Sequence, residues 1–354
     1  MRGVLDIPAE FEPVQDSVVR ALERVAELFD RELESDLPPV AQLTSHVGRY
    51  RGKMLRPTLA VLSGLAARGE REPPRELPND LVTVAAVAEM VHMATLVHDD
   101  VLDEADVRRR GETVNRLRGN EAAVILGDYL IAAAFRLCST VRDRRAALDV
   151  GRTSMDMCAG ELLQLHHRHD LALDEATYLE ILQRKTGALV GCACVLGRRA
   201  GREDLPENGP DDRPDDQGEA YDHAFRTFGH ALGVAFQIQD DLLDLMGDEA
   251  VVGKSVGKDL EKGKLTLPMI HHLARAEPTE RGRALRLLES APSDPASAAV
   301  ALRHALEGTG SIAFARAEAE RLAAEAARAL DPLPDTPARG VLRLMAAAAV
   351  ERPF

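Results

Sequence analysis

The stretch AVAEMVHMATLVHDDVLDEADVRRRGET, residues 86–113, decides how the whole chain is read. From Val84 to Val97 the run is almost wholly apolar, without glycine or proline, and its Ala, Met and Leu favour helix. Apolar residues on nearly every face mark a buried helix rather than a surface one. That helix runs straight into Asp99, Asp100 and Asp103, and the arginines Arg108, Arg109 and Arg110 follow. One helical turn separates Asp99 from Asp103, with Asp100 adjacent. Two like charges about 4 Å apart repel by roughly 4 kcal/mol at an effective dielectric near 20. Burial adds a desolvation cost. The carboxylates therefore require a bound cation.

The arrangement recurs. GHALGVAFQIQDDLLD, residues 229–244, is a second apolar helix ending in Asp240, Asp241 and Asp244. One such helix end is open to a solvated reading; two copies are hard to explain as surface decoration. Carboxylate-only clusters suit hard divalent ions, and Mg2+ takes one or two carboxylates plus waters and phosphate oxygens. The expectation is two Mg2+ sites facing each other across a cavity that receives a diphosphate.

Composition narrows the remaining options. The 354 residues carry a formal charge of −14 and 45% hydrophobic residues, with no Trp and 3% aromatics. That excludes a nucleic-acid surface, which needs a basic face with interleaved aromatics. The four cysteines, Cys138, Cys158, Cys192 and Cys194, lack metal-ligand spacing and read as thiols in a reducing compartment. MRGVLDIPAEFEP has no apolar signal core, and no uncharged apolar run approaches the roughly 20 residues of a membrane span. The expectation is a soluble cytoplasmic protein without a transmembrane segment.

Taken in order, Pro13 to Leu37 is predicted as an amphipathic helix closed by Pro38-Pro39, with Val18, Leu22, Val25, Leu28 and Leu33 at helical spacing. In GRYRGKMLRP, residues 48–57, two glycines free the backbone, and Lys53 and Arg56 sit three apart at a helix start. An ordinary basic loop and an anion site both fit that pattern. His92, two turns before Asp99, is open to a core or a ligand role. Ala122–Leu137 and Arg152–Leu165 are predicted helices carrying Asp128, Glu161 and Gln164, and the HHRHD run at 166–170 reads as a solvated helix end. Tyr178 to Leu196 is predicted as one helix with Lys185-Thr186-Gly187 in its middle. The Gly-, Pro- and Asp-rich segment 198–221 is predicted as a mobile surface loop, and 253–268 as a loop able to close over an anion. From Met269 to Val350 the chain reads as helix broken near Pro292 and Pro332–Pro337. No strand alternation and no domain boundary is evident, so the expected architecture is one all-α domain over residues 1–354.

These segments closely resemble the trans-isoprenyl diphosphate synthases, the polyprenyl synthetase family. The resemblance rests on GKMLRP at 52–57, HMATLVHDDVLDEADVRR at 92–109, GDYL at 127–130, KTGAL at 185–189, FQIQDDLLD at 236–244 and GKDLEKGKLTLP at 257–268. It implies an isoprenoid synthase fold, a helical barrel around a deep central cavity, commonly in a homodimer. It implies that Asp99, Asp100, Asp103, Asp240, Asp241 and Asp244 hold Mg2+, three ions in all, on an allylic diphosphate. Arg108, Lys185, Thr186, Gln237, Lys254 and Lys264 would contact that diphosphate. Lys53, Arg56, His92 and Arg109 would bind isopentenyl diphosphate. The implied reaction is head-to-tail condensation of the two substrates to an all-trans polyprenyl diphosphate. Two departures stand out: Arg110 where relatives often have Gly, and a long acidic segment at 198–221.

Product length is expected to follow from the residues upstream of Asp99. Ala94 and Thr95 are small where short-chain members place an aromatic floor, so Val91, Met90 and Val87 become the next floor candidates. Medium-to-long products are expected, with a geranylgeranyl diphosphate synthase as the alternative. A terpene cyclase would carry a different second motif, and a non-catalytic subunit of a heteromeric synthase would tend to lose the acidic motifs.

Overall fold

The computed structural model describes residues 8–108, 111–202, 216–246, 257–291, 293 and 295–351. Helices α1 (Glu12–Glu32), α2 (Pro38–Val47), α3 (Leu55–Arg68) and α4 (Asn79–Leu102) come first. A hairpin of β1 (Val107–Arg108) and β2 (Gly111–Glu112) leads to α5 (Val114–Arg118) and α6 (Asn120–Cys138). Next come α7 (Arg145–His166), α8 (Glu175–Leu182), a π-helical turn at Gln183–Gly187, α9 (Ala188–Ala200) and α10 (Asp216–Met246). The chain continues through α11 (Lys258–Glu261), α12 (Leu267–Arg275), α13 (Pro278–Ser290), α14 (Pro295–Gly308), α15 (Ser311–Ala329) and α16 (Pro337–Ala348). These elements form two compact units. The first comprises Met1–Ser154, Leu189–Arg226 and Leu330–Arg343; the second comprises Met155–Ala188, Thr227–Ala329 and Leu344–Phe354.

In the first unit α4 is the core helix, packed by α6, α3 and α1. By length and composition α4 could cross a membrane, but 78% of its apolar window is buried among its neighbours, as in a core helix. Its faces differ. Val87, Met90, Val91 and Ala94 have almost no exposed surface, whereas His92, Thr95, Leu96, Asp99 and Asp103 are half-buried and fall on one side at helical spacing. Two acidic side chains are buried in this helix, Asp100 near its end and Glu89 in its middle, the latter faced by Arg51 and Arg56 from the α2–α3 connection and the start of α3. Burial lowers both guanidinium pKa values, and the Glu89 charge works against that shift. Against α3 packs α9, so closely that a Cβ on Gly197 would collide with the Ala60 carbonyl oxygen. Nearby, Arg199 joins α9 to Asp149 of α7 and Asp222 of α10, both at 2.7 Å. In the second unit α12 packs on α15, with the His271 ring stacked on Phe314 at 4.1 Å.

Several expectations need correction. Pro38-Pro39 does not close α1; it opens α2 at the first helical positions, where a missing N–H costs nothing. Segment 198–221 is not all loop: α9 runs to Ala200 and α10 starts at Asp216, because Arg198, Arg199 and Asp222 are tied into helix packing. Its stretch 203–215 lies outside the described residues. The hairpin, pairing Val107 with Glu112 and Arg108 with Gly111, was not anticipated, since a two-residue strand leaves no periodicity. The predicted 178–196 helix is interrupted by the π turn.

Replacing Gly197 with Ala is predicted to destabilise the protein by about 1–3 kcal/mol, because backbone on α3 must give way. Urea unfolding measures this, and an unchanged midpoint would contradict the close packing.

Candidate active site

In the first unit the C-terminus of α4 is tightly stitched. The amide N–H of Asp103 donates to the Asp99 carbonyl at 2.8 Å, and that of Ala105 donates to the Asp100 carbonyl at 2.9 Å. Thr113 donates its hydroxyl to the Ala105 carbonyl at 2.6 Å, and Asn115 reaches the carbonyls of Asp100 and Ala105. These bonds hold the carboxylates of the first motif in different environments. Asp99 and Asp103 are half-buried on the open face. Asp100 is 1% exposed; its Oδ1 accepts Arg108 Nε at 2.7 Å and its Oδ2 is buried without a hydrogen-bond partner. Burial pushes the Asp100 carboxyl up, and Arg108 opposes this. Tyr50 accepts the Val114 amide at 3.0 Å, and its phenol is pushed up to about 12, first by burial and then by the Asp100 charge. Asp100 thus orients Arg108, which the family resemblance implies on the diphosphate.

The predicted isopentenyl diphosphate residues of this unit divide similarly. Lys53 is exposed immediately before α3, and Arg56 lies in its first turn beside Glu89. The left-handed residue here is Met54, at φ 53°, rather than either glycine. No side chain caps α3, so its first N–H groups are available to an anion. His92 lies on the α4 face that carries Asp99. Arg109 lies outside the described residues, as does Lys254.

The second unit brings more of the predicted residues together. Lys185, Thr186, Gln237, Asp241 and Lys264 line one cavity of about 110 Å³. The π turn that carries Lys185 and Thr186 inserts an extra residue into the helical ladder and aims both side chains inward. Lys185 pairs with Glu161 of α7, which also accepts Gln164 Nε2 at 3.2 Å. Thr186 donates to Gln237 Oε1 at 3.3 Å, and Gln237 Nε2 donates to Asp241 Oδ1 at 2.9 Å. Asp244 accepts the amides of Lys258 and Asp259 at 3.2 and 3.0 Å, fixing the start of α11.

Four further cavity residues were not among the predicted site residues. Tyr178 donates its hydroxyl to Asp241 Oδ2 at 2.6 Å, and its own pKa is raised well above the ordinary phenol by burial and then by Asp241. Asp259 is raised well above the carboxylate range by burial, then by Asp241 and Asp244. His167 and Arg168 also line the cavity, so the HHRHD run is only partly a solvated end: His166 and His169 are exposed, the middle pair is not. Asp241 is pushed up to about 6, chiefly by burial, against the hydrogen bonds from Tyr178 and Gln237. Asp244 is shifted upward by burial as well.

The donor set fits a hard divalent ion. Every candidate ligand is a carboxylate oxygen, and the buried Asp100 and Asp241 and the half-buried Asp244 resist ionisation unless a cation compensates. Among the described residues no three His, Cys, Asp or Glu side chains converge as a self-sufficient metal cage. A divalent ion at these carboxylates would need further oxygen ligands from phosphate or water.

Comparison with known proteins agrees with this chemistry. The Polyprenyl synthetase family model matches residues 38–305. Octaprenyl diphosphate synthase of Escherichia coli (strain K12) is 34% identical over 332 residues, 91% of this chain and 92% of that protein. Heptaprenyl diphosphate synthase component 2 of Geobacillus stearothermophilus is 31% identical over 325 residues, 92% and 93% of the two chains. The crystal structure of a polyprenyl synthase from Caulobacter crescentus CB15, complexed with calcium and isoprenyl diphosphate, matches with a TM-score of 0.82 at 31% identity. It covers 96% of this chain and 98% of that one. The chain belongs to the polyprenyl synthetase family: an all-α isoprenoid synthase fold and a prenyltransferase of the trans-polyprenyl diphosphate synthase class.

The metal-free protein should carry a pH signature of Asp241. The folded state holds this proton more tightly than the unfolded chain, whose carboxyl titrates near 4. Its contribution to stability is complete below about 4 and is lost as the pH rises through about 6. Melting curves of the wild type and Asp241→Asn should therefore diverge across pH 4 to 7, the wild type losing stability faster. Parallel curves would contradict the buried-carboxyl assignment.

Proposed function

We propose that this enzyme, as a single catalytic domain, condenses isopentenyl diphosphate with an allylic diphosphate, head to tail and with Mg2+, to an all-trans polyprenyl diphosphate of medium-to-long chain. The observation that carries the reading is the cavity in which Lys185, Thr186, Gln237 and Lys264 surround Asp241. Asp99 and Asp103, with Asp240, Asp241 and Asp244, would hold three Mg2+ ions on the allylic diphosphate. When bound, the ions neutralise negative charge on the departing pyrophosphate. Lys185, Thr186, Gln237 and Lys264 add donors for the same oxygens, and Arg108, oriented by Asp100, adds another. Lys53, Arg56, His92 and Arg109 take isopentenyl diphosphate, aided by the uncapped start of α3. Exclusion of water protects the allylic cation until the alkene attacks and a proton leaves, to the released pyrophosphate.

Chain length depends on the open face of α4. Thr95 is one turn before Asp99 on that face, while Ala94, Val91, Met90 and Val87 are packed away from solvent, so Thr95 is the position where a bulky side chain would block an elongating tail. Relatives named for octaprenyl and heptaprenyl products support a long chain over a geranylgeranyl one.

The state we infer is a homodimer. On α6, Ile125 is 68% exposed with Val124 and Tyr129 beside it; on α7, Leu148, Met155 and Leu162 repeat every seven residues, the last two at 74% and 67%. Apolar faces of this kind mark association surfaces. The free thiols Cys138, Cys192 and Cys194, all buried, support a reducing, cytoplasmic setting.

Incubation of the chain alone with Mg2+, isopentenyl diphosphate and each allylic primer should give linear products of geranylgeranyl length or longer. Asp99→Ala and Asp241→Ala should each lower kcat by at least about 100-fold. Cyclised hydrocarbons, or turnover only with a second subunit, would overturn this reading. Thr95→Phe should shorten the product; an unchanged distribution would contradict the role of the open face.

A further inference from the structure

The turn after α7 lies beside residues already assigned to the allylic diphosphate, yet its own role is unassigned. Arg168 lines the same cavity as Lys185, Thr186 and Lys264. The backbone around it is locked from three directions. His167 Nδ1 and Asp170 Oδ2 are 2.7 Å apart, and Asp170 Oδ1 accepts the Ala172 amide at 2.9 Å. The amide of His169 donates to the Gly263 carbonyl at 2.9 Å, one residue before Lys264. His169 itself adopts a left-handed φ of 64°. Its ring sits where any Cβ on Gly263 would have to go, and Gly263 also has a left-handed φ, of 65°. The turn carrying Arg168 and the loop carrying Lys264 are therefore tied to each other.

Charge argues for what this piece holds. The cavity presents Arg168, Lys185 and Lys264 against Asp241 and Asp259, and Glu161 already meets the Lys185 charge. Arg168 adds a third cation to the Lys185 and Lys264 already assigned to the diphosphate, and three cations lining one small cavity suit a compact polyanion. A guanidinium, with its planar fork of donors, binds two phosphate oxygens at once, which an ammonium cannot.

We propose that Arg168 is a further diphosphate-binding residue, directed at the pyrophosphate leaving group of the allylic substrate and held in register with Lys264 by the His169–Gly263 clasp. This rests on the assignment of the cavity to the allylic diphosphate made above. Isopentenyl diphosphate is not its ligand.

The test is steady-state kinetics of Arg168→Gln, Arg168→Lys, Gly263→Ala and Lys185→Ala in the full chain, with inhibition by inorganic pyrophosphate measured alongside. Arg168→Gln should raise the KM for the allylic diphosphate about 10- to 100-fold, and the inhibition constant of pyrophosphate in parallel, as expected for one lost charge-assisted donor. The KM for isopentenyl diphosphate should stay within about twofold on the same argument. Arg168→Lys should recover part of the loss. Gly263→Ala should shift the allylic KM in the same direction without changing any charge, a result a general loss of stability would not confine to one substrate. If Lys185→Ala weakens the allylic substrate and Arg168→Gln does not, the role of Arg168 is overturned while the cavity assignment stands. If neither variant shifts it, the cavity assignment fails, and the Arg168 proposal with it.

Discussion

Everything in this protein is arranged around carboxylates placed where carboxylates are unstable. Asp100 and Asp241 are held out of water at or near the end of a helix, Asp259 is half-buried at the start of one, and desolvation drives all three toward the neutral form. Hydrogen bonds from Arg108, Tyr178 and Gln237 recover part of that cost and fix the oxygens in space. A bound cation would offset the remaining cost with the carboxylates ionised, which is why we propose a metal-bound polyanion as the ligand.

Precision in the site comes from the supporting groups rather than from the ligands alone. Gln237 stands between Thr186 and Asp241, so the π turn and the second acidic motif share one hydrogen-bond chain. Asp244 spends both oxygens on the amides that start α11 and thereby anchors the segment leading to Lys264. In the first unit Asp100 is turned inward to Arg108, leaving Asp99 and Asp103 on the open face of α4. Residues within a DDxxD pattern therefore have different tasks, with some reaching outward and some bracing their neighbours.

Much of this was legible before any coordinates. An apolar run without Gly or Pro predicted α4, and the repeat of the acidic pattern predicted a second equivalent helix end. Lys185, Thr186, Gln237 and Lys264 were found because they occur in short, dense motifs, and the structure places them together. Tyr178 was missed because its partner lies far along the chain, His167 and Arg168 because the HHRHD run reads as a solvated helix end, and Asp259 because its motif was read for its lysines. A Tyr and an Asp separated by 63 positions leave no periodic trace. Among the floor candidates, counting back from Asp99 gives sequence distance while the face of a helix follows 100° steps, so Thr95 shares the half-buried face of Asp99 and Ala94 is buried. Pro38-Pro39 shows the same ambiguity in punctuation, since proline both stops one helix and starts the next.

We propose that both aspartate motifs serve one metal-bound diphosphate. A crystal structure with Mg2+ and a non-hydrolysable allylic diphosphate analogue tests it most directly. The account predicts carboxylate oxygens of Asp99 and Asp103, and of the second motif, at about 2.1 Å from ions that share the same diphosphate. A diphosphate whose metals are held by one motif alone, with the other left to water, would contradict it.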